Sequence, residues 1–166
     1  MSEQIILVDE NDNEIGSGEK LEVHQNAQLH RAFSILIFNS QGELLIQQRA
    51  TDKYHCPGIW ANTCCSHPRV GESVLEAAHR RLLEEMGFDC PLEEKDSFVY
   101  KAVFDNGLTE NEFDHVLIGK YDGQIAINPK EVGDSQWISL EELKKDIAEN
   151  TTKYAPWFKI IIEKFF

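Results

Sequence analysis

Long apolar runs and an excess of positive charge are both missing from this sequence of 166 residues. No apolar stretch approaches the ~20 residues that a membrane-spanning helix needs. The first four residues contain neither the basic nor the apolar region of a signal peptide. Lys and Arg number 16 against 29 Asp and Glu, so the formal net charge is −13. This balance argues against nucleic acid and anionic membranes as partners, and we expect a cytoplasmic protein.

Closely spaced cysteine pairs of the kind that hold structural zinc are lacking as well. The four cysteines are Cys56, Cys64, Cys65 and Cys90, and no two of them form a C-x-x-C pair. This spacing argues against a zinc ribbon, and free thiols are the expected state in a reducing compartment. No repeat, low-complexity segment or linker divides the chain, so we predict a single domain over residues 1–166.

The apolar pattern predicts an α+β fold in which a mixed β-sheet is sandwiched between helices. Strands are predicted at residues 4–9, 31–38, 43–48, 98–104, 113–120, 124–127 and 136–138. The second and third of them form a hairpin around the turn at 39–42. Helices are predicted at residues 73–86, 139–148 and 157–164. Ser73 and Ser139 each open an S-x-x-E capping box, Gly87 is the stop of the first helix, and Pro156 suits the first turn of the last.

The segment from Ser66 to Phe88 resembles the Nudix box of diphosphate-processing enzymes, G-x5-E-x7-R-E-U-x-E-E-x-G-U, where U is a bulky apolar residue. The residues that fit are Glu72, Arg80, Leu82, Glu84, Glu85, Gly87 and Phe88. Ser66 replaces the first glycine, and Arg81 replaces a metal-binding Glu, which reverses the charge where hydrolases hold Mg²⁺. This altered box resembles that of the type 1 isopentenyl-diphosphate isomerases. The resemblance runs from about Lys20 to Phe158 and implies a Nudix-like core at about residues 28–160.

Histidines and carboxylates form a candidate metal site. The Glu-x-Glu pair Glu110 and Glu112 points both carboxylates to one face of a strand, where they can share a cation. Imidazole and carboxylate ligands suit a divalent ion, although each histidine alone is more often an ordinary surface or core residue. The resemblance implies that His24, His30, His67, Glu110 and Glu112 bind one metal ion, with Mn, Mg and Zn all open.

Cys65 is the candidate for proton transfer to or from an alkene. If residues 64–67 are extended, Cys65 and His67 share one face and Cys64 points the other way. A thiol beside a metal-bound histidine can donate or accept a proton, although a free cysteine is more often a small buried apolar residue. The resemblance implies that Cys65 and Glu112 are catalytic and that Tyr100 hydrogen-bonds to the catalytic Glu. Which of Cys65 and Glu112 is the acid stays open.

Scattered cations form a candidate diphosphate clamp. Arg binds phosphate through its bidentate fork and Lys as a point charge, although each of these residues alone is more often a solvated charge. The resemblance implies that the substrate contacts Lys20, Arg49, Lys53 and Arg81, that Glu85 binds Mg²⁺ carried with the diphosphate, and that Trp157 faces a carbocation. A plain i,i+4 ion pair between Arg81 and Glu85 is the competing explanation.

These resemblances together imply an isomerase that converts isopentenyl diphosphate to dimethylallyl diphosphate through a tertiary carbocation, in isoprenoid biosynthesis. Two alternatives are a Nudix diphosphohydrolase and a non-catalytic module that binds diphosphates. The charge reversal at Arg81 argues against the hydrolase, and the presence of Cys65 and Glu112 argues against the binding module. We expect a small-molecule diphosphate as the partner, and a monomer or a weak homodimer.

Overall fold

The structure is a computed structural model that describes residues 3–52 and 57–166. Within these ranges the chain forms one mixed sheet, four α-helices and a short 3-10 helix. In chain order the elements are β1 Gln4–Val8, β2 Glu14–Glu19, α1 Lys20–Gln25, β3 His30–Phe38, β4 Leu44–Arg49, β5 Trp60–Ala61, β6 Cys64–Ser66, α2 Val74–Met86, β7 Leu92–Val103, β8 Thr109–Lys120, β9 Val132–Ile138, α3 Leu140–Glu149, the 3-10 helix Thr151–Lys153 and α4 Pro156–Phe165.

Strand β3 lies at the centre of the sheet and determines where the other strands are placed. It pairs in parallel with β8 along its whole length, beginning with His30 opposite Glu112. It also pairs antiparallel with β6, with β1 at Leu7, and with β4 at the single pair Phe38–Leu44. The predicted hairpin of β3 and β4 therefore diverges after its first pair, and β4 instead pairs antiparallel with β9 and β5.

Helices cover both faces of the sheet, which confirms the predicted α+β architecture. Phe33, Ile35 and Ile37 of β3 belong to a core cluster with Ala77, Ala78, Leu82 and Met86 of α2. The intervening Leu36 belongs to a second cluster with Leu143 of α3 and with Phe158, Ile161 and Ile162 of α4. Because alternate side chains of β3 enter different clusters, the strand is apolar along almost its whole length.

Helix α2 begins and ends as its sequence predicts. Ser73 accepts a hydrogen bond from the backbone N–H of Glu76, and the Glu76 side chain accepts one from the backbone N–H of Ser73. Gly87 has a φ of 74°, and a Cβ added there would lie 2.8 Å from the Cβ of Ala126. Both the left-handed backbone and the lack of space therefore require glycine at this position.

Several predicted boundaries were wrong. The segment 124–127 is not a strand, because Ala126 and Asn128 donate their backbone N–H groups to carbonyls in the last turn of α2, at Met86 and Glu85. Strands β7, β8 and β9 begin earlier than predicted, at Leu92, Thr109 and Val132. The polar strand β2 and the short helix α1 were not predicted. No helix in the described ranges is long and apolar enough to cross a bilayer.

Candidate active site and metal centre

A cavity of about 550 Å³, part of it open to solvent, collects most of the predicted site residues. Its walls come from β3, β4, β6, β8, α1, α2 and α4 and from the loops around them. The lining residues are Lys20, Phe33, Arg49, Cys65, Ser66, His67, Arg81, Glu85, Glu110, Glu112, Glu131 and Trp157. Lys53 lies outside the described residues.

Three histidines and two carboxylates meet at one end of this cavity, as the candidate metal centre. One ligand atom each from His24, His30, His67 and Glu110 lie within 4.8 Å of one another, and all four side chains are buried. Glu112 joins them, with its Oε2 3.0 Å from Nε2 of His67 and 3.5 Å from Nε2 of His30. This grouping suits a divalent cation that accepts nitrogen and oxygen ligands.

Backbone carbonyls determine which nitrogen of two of these histidines faces the cluster. Nδ1–H of His24 donates to the carbonyl of Lys20 at 2.6 Å, and Nδ1–H of His30 donates to that of Gln28 at 2.9 Å. A carbonyl only accepts, so the proton of each neutral imidazole sits on Nδ1 and Nε2 keeps its lone pair. Nε2 of His24 lies 3.3 Å from Oε2 of Glu110. Histidine ligands of metal ions have this arrangement, and the donor set therefore fits such an ion.

A short helix, α1, and the register between strands β3 and β8 bring the ligands together. The Glu19 side chain caps α1 by accepting a hydrogen bond from the backbone N–H of Glu22 at 3.0 Å. This cap begins the helix that carries His24 in its last turn. His30 is the first residue of β3 and lies opposite Glu112 on β8. Glu110 is two residues before Glu112 and therefore shares its face.

Burial controls the protonation of this cluster in the chain alone. It lowers the pKa of His30 to about 4 and that of His67 well below its usual value, so both imidazoles are neutral near pH 7. Burial, with the neighbouring Glu110 carboxylate, raises the pKa of Glu112 well above its usual value. At His24 burial acts to lower the pKa, but Glu110 outweighs it and the pKa is raised. Metal binding at this site therefore displaces protons.

Cys65 and Cys64 point in opposite directions, as strand parity predicts. Both lie on β6, where Cys65 pairs with Ser34 and Cys64 with Ile35. Cys64 is fully buried in the cluster beside α2, whereas Cys65 lines the cavity. Burial raises the pKa of the Cys65 thiol, and the Arg49 guanidinium, with Nη1 4.0 Å from Sγ, acts in the opposite direction. The net shift keeps Cys65 a neutral thiol.

The two predicted aromatic residues lie next to these groups. Tyr100 on β7 is directly opposite Glu112 on β8, and its ring meets that of Trp157 edge-on at 6.4 Å between centroids. Trp157 is 3% exposed, and the guanidinium carbon of Arg49 lies 5.6 Å from the centre of the indole. The indole is thus a core residue that also forms part of the cavity wall, and its face already attracts one cation.

Arg81 lies among carboxylates in the wall of the cavity. Its guanidinium contacts Glu84 at 2.6 Å, Glu85 at 2.7 Å and Glu131 at 3.4 Å. The competing i,i+4 ion pair with Glu85 is therefore present. The other Glu85 oxygen, Oε1, accepts a hydrogen bond from Gln47 Nε2 at 3.0 Å. Lys20 is similarly close to a carboxylate, with Nζ 3.9 Å from Oε2 of Glu3.

Sequence reasoning missed three polar residues beside the site. Asp114 is buried and accepts a hydrogen bond from Ser34 Oγ at 2.8 Å, and burial raises its pKa to about 7. The period-2 rule that joined Glu110 to Glu112 would have placed Asp114 on the same face. Glu131 in the loop before β9 and Asn62 between β5 and β6 carry no local signal for their contacts with Arg81 and Trp157, because those partners are remote in sequence.

Comparisons with known proteins agree with this geometry. The NUDIX domain model matches residues 28–158. A Photorhabdus laumondii protein named isopentenyl-diphosphate Delta-isomerase 2 is 52% identical, over 98% of this chain and 92% of its own length. An isopentenyl-diphosphate Delta-isomerase of Serratia proteamaculans is 50% identical, over 98% and 91% of the two chains.

Solved structures support the fold independently. A Deinococcus radiodurans crystal structure superposes with a TM-score of 0.80 at 21% identity, covering 99% of this chain and 100% of the other. The MutT protein from Methanosarcina mazei superposes with a TM-score of 0.66 at 20% identity, covering 82% and 92% of the two chains. The chain therefore belongs to the NUDIX family and, within it, to the isopentenyl-diphosphate Delta-isomerases.

Proposed function

We propose that this protein interconverts isopentenyl diphosphate and dimethylallyl diphosphate, with Cys65 and Glu112 as the two proton carriers. The observation that carries the proposal is their placement: the Cys65 thiol and the Glu112 carboxyl group line the same cavity, beside a buried indole. An unactivated alkene reacts only if a positioned acid protonates it and a positioned base takes a proton from the neighbouring carbon. One carrier therefore begins the turnover protonated and the other begins it ionised.

The reaction adds one proton and removes another. One carrier donates a proton to the terminal methylene carbon, which leaves a tertiary carbocation at the adjacent carbon. The other carrier removes a proton from the carbon between the cation and the diphosphate-bearing carbon, and the new double bond forms there. Cys65 and Glu112 end the turnover with their protonation states exchanged. Each must therefore recover its starting state by proton exchange before the next turnover in the same direction.

The histidine and glutamate cluster adds a divalent cation to this chemistry. His24, His30, His67, Glu110 and Glu112 would hold it, and bound there it would lower the pKa of Glu112 and restrict its orientation. Tyr100, directly opposite Glu112 on the neighbouring strand, is the predicted hydrogen-bond partner of that carboxyl group.

In this proposal Arg81, Arg49 and Lys20, which line the cavity, bind the diphosphate, with Lys53 as a further predicted contact. The described lining residues include three cations and four carboxylates, so the protein alone offers no excess positive charge to a diphosphate. A Mg²⁺ ion carried by the substrate and bound by Glu85 would supply it. The substrate is held there without any bond to phosphorus being broken.

Incubation with isopentenyl diphosphate, Mg²⁺ and D₂O tests the proposal directly. Proton NMR should show dimethylallyl diphosphate, with deuterium in one methyl group because the added proton comes from an exchanged thiol or carboxyl. Release of inorganic phosphate or pyrophosphate would instead identify a hydrolase, and absence of both reactions would identify a binding module. Cys65→Ala should be inactive, and Cys64→Ala is the matched control because it removes the neighbouring thiol outside the cavity.

A further inference from the structure

A buried amide connects the indole in the cavity wall to the strand that carries the thiol. Asn62 is fully buried in the short connection between β5 and β6, three residues before Cys65. Its Oδ1 accepts a hydrogen bond from Nε1–H of Trp157 at 3.0 Å. Its Nδ2 donates to the carbonyl of Cys64 at 2.8 Å and to that of Ile35 at 3.2 Å. One side chain thereby joins helix α4 to strands β6 and β3.

The orientation of this amide follows from its partners. An indole N–H only donates and a backbone carbonyl only accepts, so the oxygen of Asn62 must face Trp157 and the nitrogen must face the two carbonyls. Turning the amide over would place donor against donor and acceptor against acceptor in a site without solvent access. The hydrogen bond therefore opposes rotation of the indole about its side-chain bonds.

We propose that Asn62 is a positioning residue that sets the plane of the Trp157 indole relative to Cys65, and that this orientation raises the rate of carbocation formation. The inference rests on the proposed function, because it takes the cation that lies over the indole face to be the carbocation of the reaction. Cation–π attraction depends on the cation lying over the ring face and is lost when the ring turns its edge. Asn62 is not among the described residues that line the cavity, and in this proposal it acts through Trp157.

Thr63 offers a matched control in the same connection. Its Oγ1 donates to the carbonyl of Leu45 at 2.6 Å and accepts the backbone N–H of Ile37 at 3.0 Å, so it ties the same segment to β4 and β3. It has no hydrogen bond to Trp157 among the described contacts. A variant at Thr63 therefore loosens the connection without removing the hydrogen bond to the indole.

The first measurement detects the hydrogen bond without substrate. In protein labelled with ¹⁵N at tryptophan, the indole N–H resonance that disappears in Trp157→Phe belongs to Trp157. In Asn62→Ala this resonance should move upfield and exchange faster with water, whereas Thr63→Val should leave it in place. An unchanged resonance in Asn62→Ala would overturn the proposal. This result does not depend on whether the protein isomerises anything, so failure of the proposed function would be seen separately, as an inactive wild type.

The second measurement is a double-mutant cycle on kcat. Asn62→Ala should lower kcat about 3- to 10-fold with KM nearly unchanged, because the neutral alkene gains nothing from the ring. In the Trp157→Phe background, which has no indole N–H to orient, the same change should alter kcat less than about 2-fold. Thr63→Val should lower stability and combine with Trp157→Phe multiplicatively. An undiminished effect of Asn62→Ala in the Phe background would mean that Asn62 acts through the Cys65 strand, and would refute the proposal.

If Asn62→Ala does not fold, Asn62→Asp distinguishes the hydrogen bond that the amide accepts from the indole from the two that it donates to backbone carbonyls. Asp keeps an oxygen acceptor for the indole and loses both donors to the carbonyls of Ile35 and Cys64. A positioning role through Trp157 predicts a lower melting temperature, with kcat within about 3-fold of wild type and the indole resonance retained. A loss of kcat as large as that of Trp157→Phe, with the indole resonance intact, would refute the proposal.

Discussion

Replacement of Trp157 by phenylalanine should affect both stability and catalysis, and the two effects can be separated. The indole is buried in the core cluster that α4 forms with the sheet, and its N–H is bonded to Asn62. Phenylalanine leaves Oδ1 of Asn62 buried without that donor, which costs about 1–3 kcal/mol of folding free energy. For a domain of this size the melting temperature should then fall by roughly 3–10 °C.

The catalytic effect comes from the smaller cation–π attraction of a benzene ring. A desolvated cation over an indole gains about 2 kcal/mol or more, and losing roughly 1–2 kcal/mol of it slows kcat about 5- to 30-fold. KM should barely change, because the charge on the substrate exists only after protonation. The assay is kcat and KM for isopentenyl diphosphate at a temperature well below the melting point, where all of the variant is folded.

Trp137→Phe is the matched control for this experiment. Trp137 lies on β9 against the other core cluster and does not line the cavity. It should lower the melting temperature and leave kcat unchanged. A Trp157→Phe variant with wild-type kcat, or with a loss confined to KM, would show that the indole contributes only to the core.

Three further substitutions probe the other parts of the site. Cys65→Ala should abolish turnover while the fold and metal content persist, and Cys64→Ala should cost only about 1 kcal/mol of stability; equal losses of activity would contradict the parity argument. His67→Asn should lose tightly bound metal together with activity, and elemental analysis showing unchanged metal per chain would rule out the five-ligand site. Arg81→Glu should raise KM by placing another carboxylate among Glu84, Glu85 and Glu131 without creating a hydrolase; phosphate release from a nucleoside diphosphate derivative would favour the hydrolase instead.

The parts of the fold that the sequence predicts well are those with strong local signals. Helix α2 has a capping box at one end and a glycine at the other, and β3 is nearly all apolar. Strand β2, with the sequence EIGSGE, has two glycines and little apolar surface, and is held by its pairing with β1 rather than by its own preference. Segment 124–127 has the composition of a strand, but its backbone hydrogen bonds go to the end of α2.

The site likewise has features that the sequence predicts and features that it does not. The shared face of Glu110 and Glu112 and the opposition of Cys64 and Cys65 follow from the period of a strand, and both can be inferred from sequence. The pairing of His30 with Glu112 depends on the register of two parallel strands that are 82 positions apart in the chain, and the resemblance implied their association without any geometric reason. The bond between Asn62 and Trp157 joins residues 95 apart and has no local signal at all.

In the proposed function, Arg81 accounts for a Nudix helix that binds a diphosphate without being configured to cleave it. Hydrolysis needs carboxylates that gather metal ions around an activated water, and in this chain a guanidinium lies among those carboxylates instead. The fixed charge of Arg81 offsets part of the repulsion between Glu85 and an incoming phosphate, and Gln47 restrains the other oxygen of Glu85. The Glu85 carboxylate can then hold a metal ion that is already bound to the substrate. The candidate metal centre of this chain is instead the cluster of His24, His30, His67, Glu110 and Glu112, in the cavity that Cys65 also lines and where the proposed proton transfers take place.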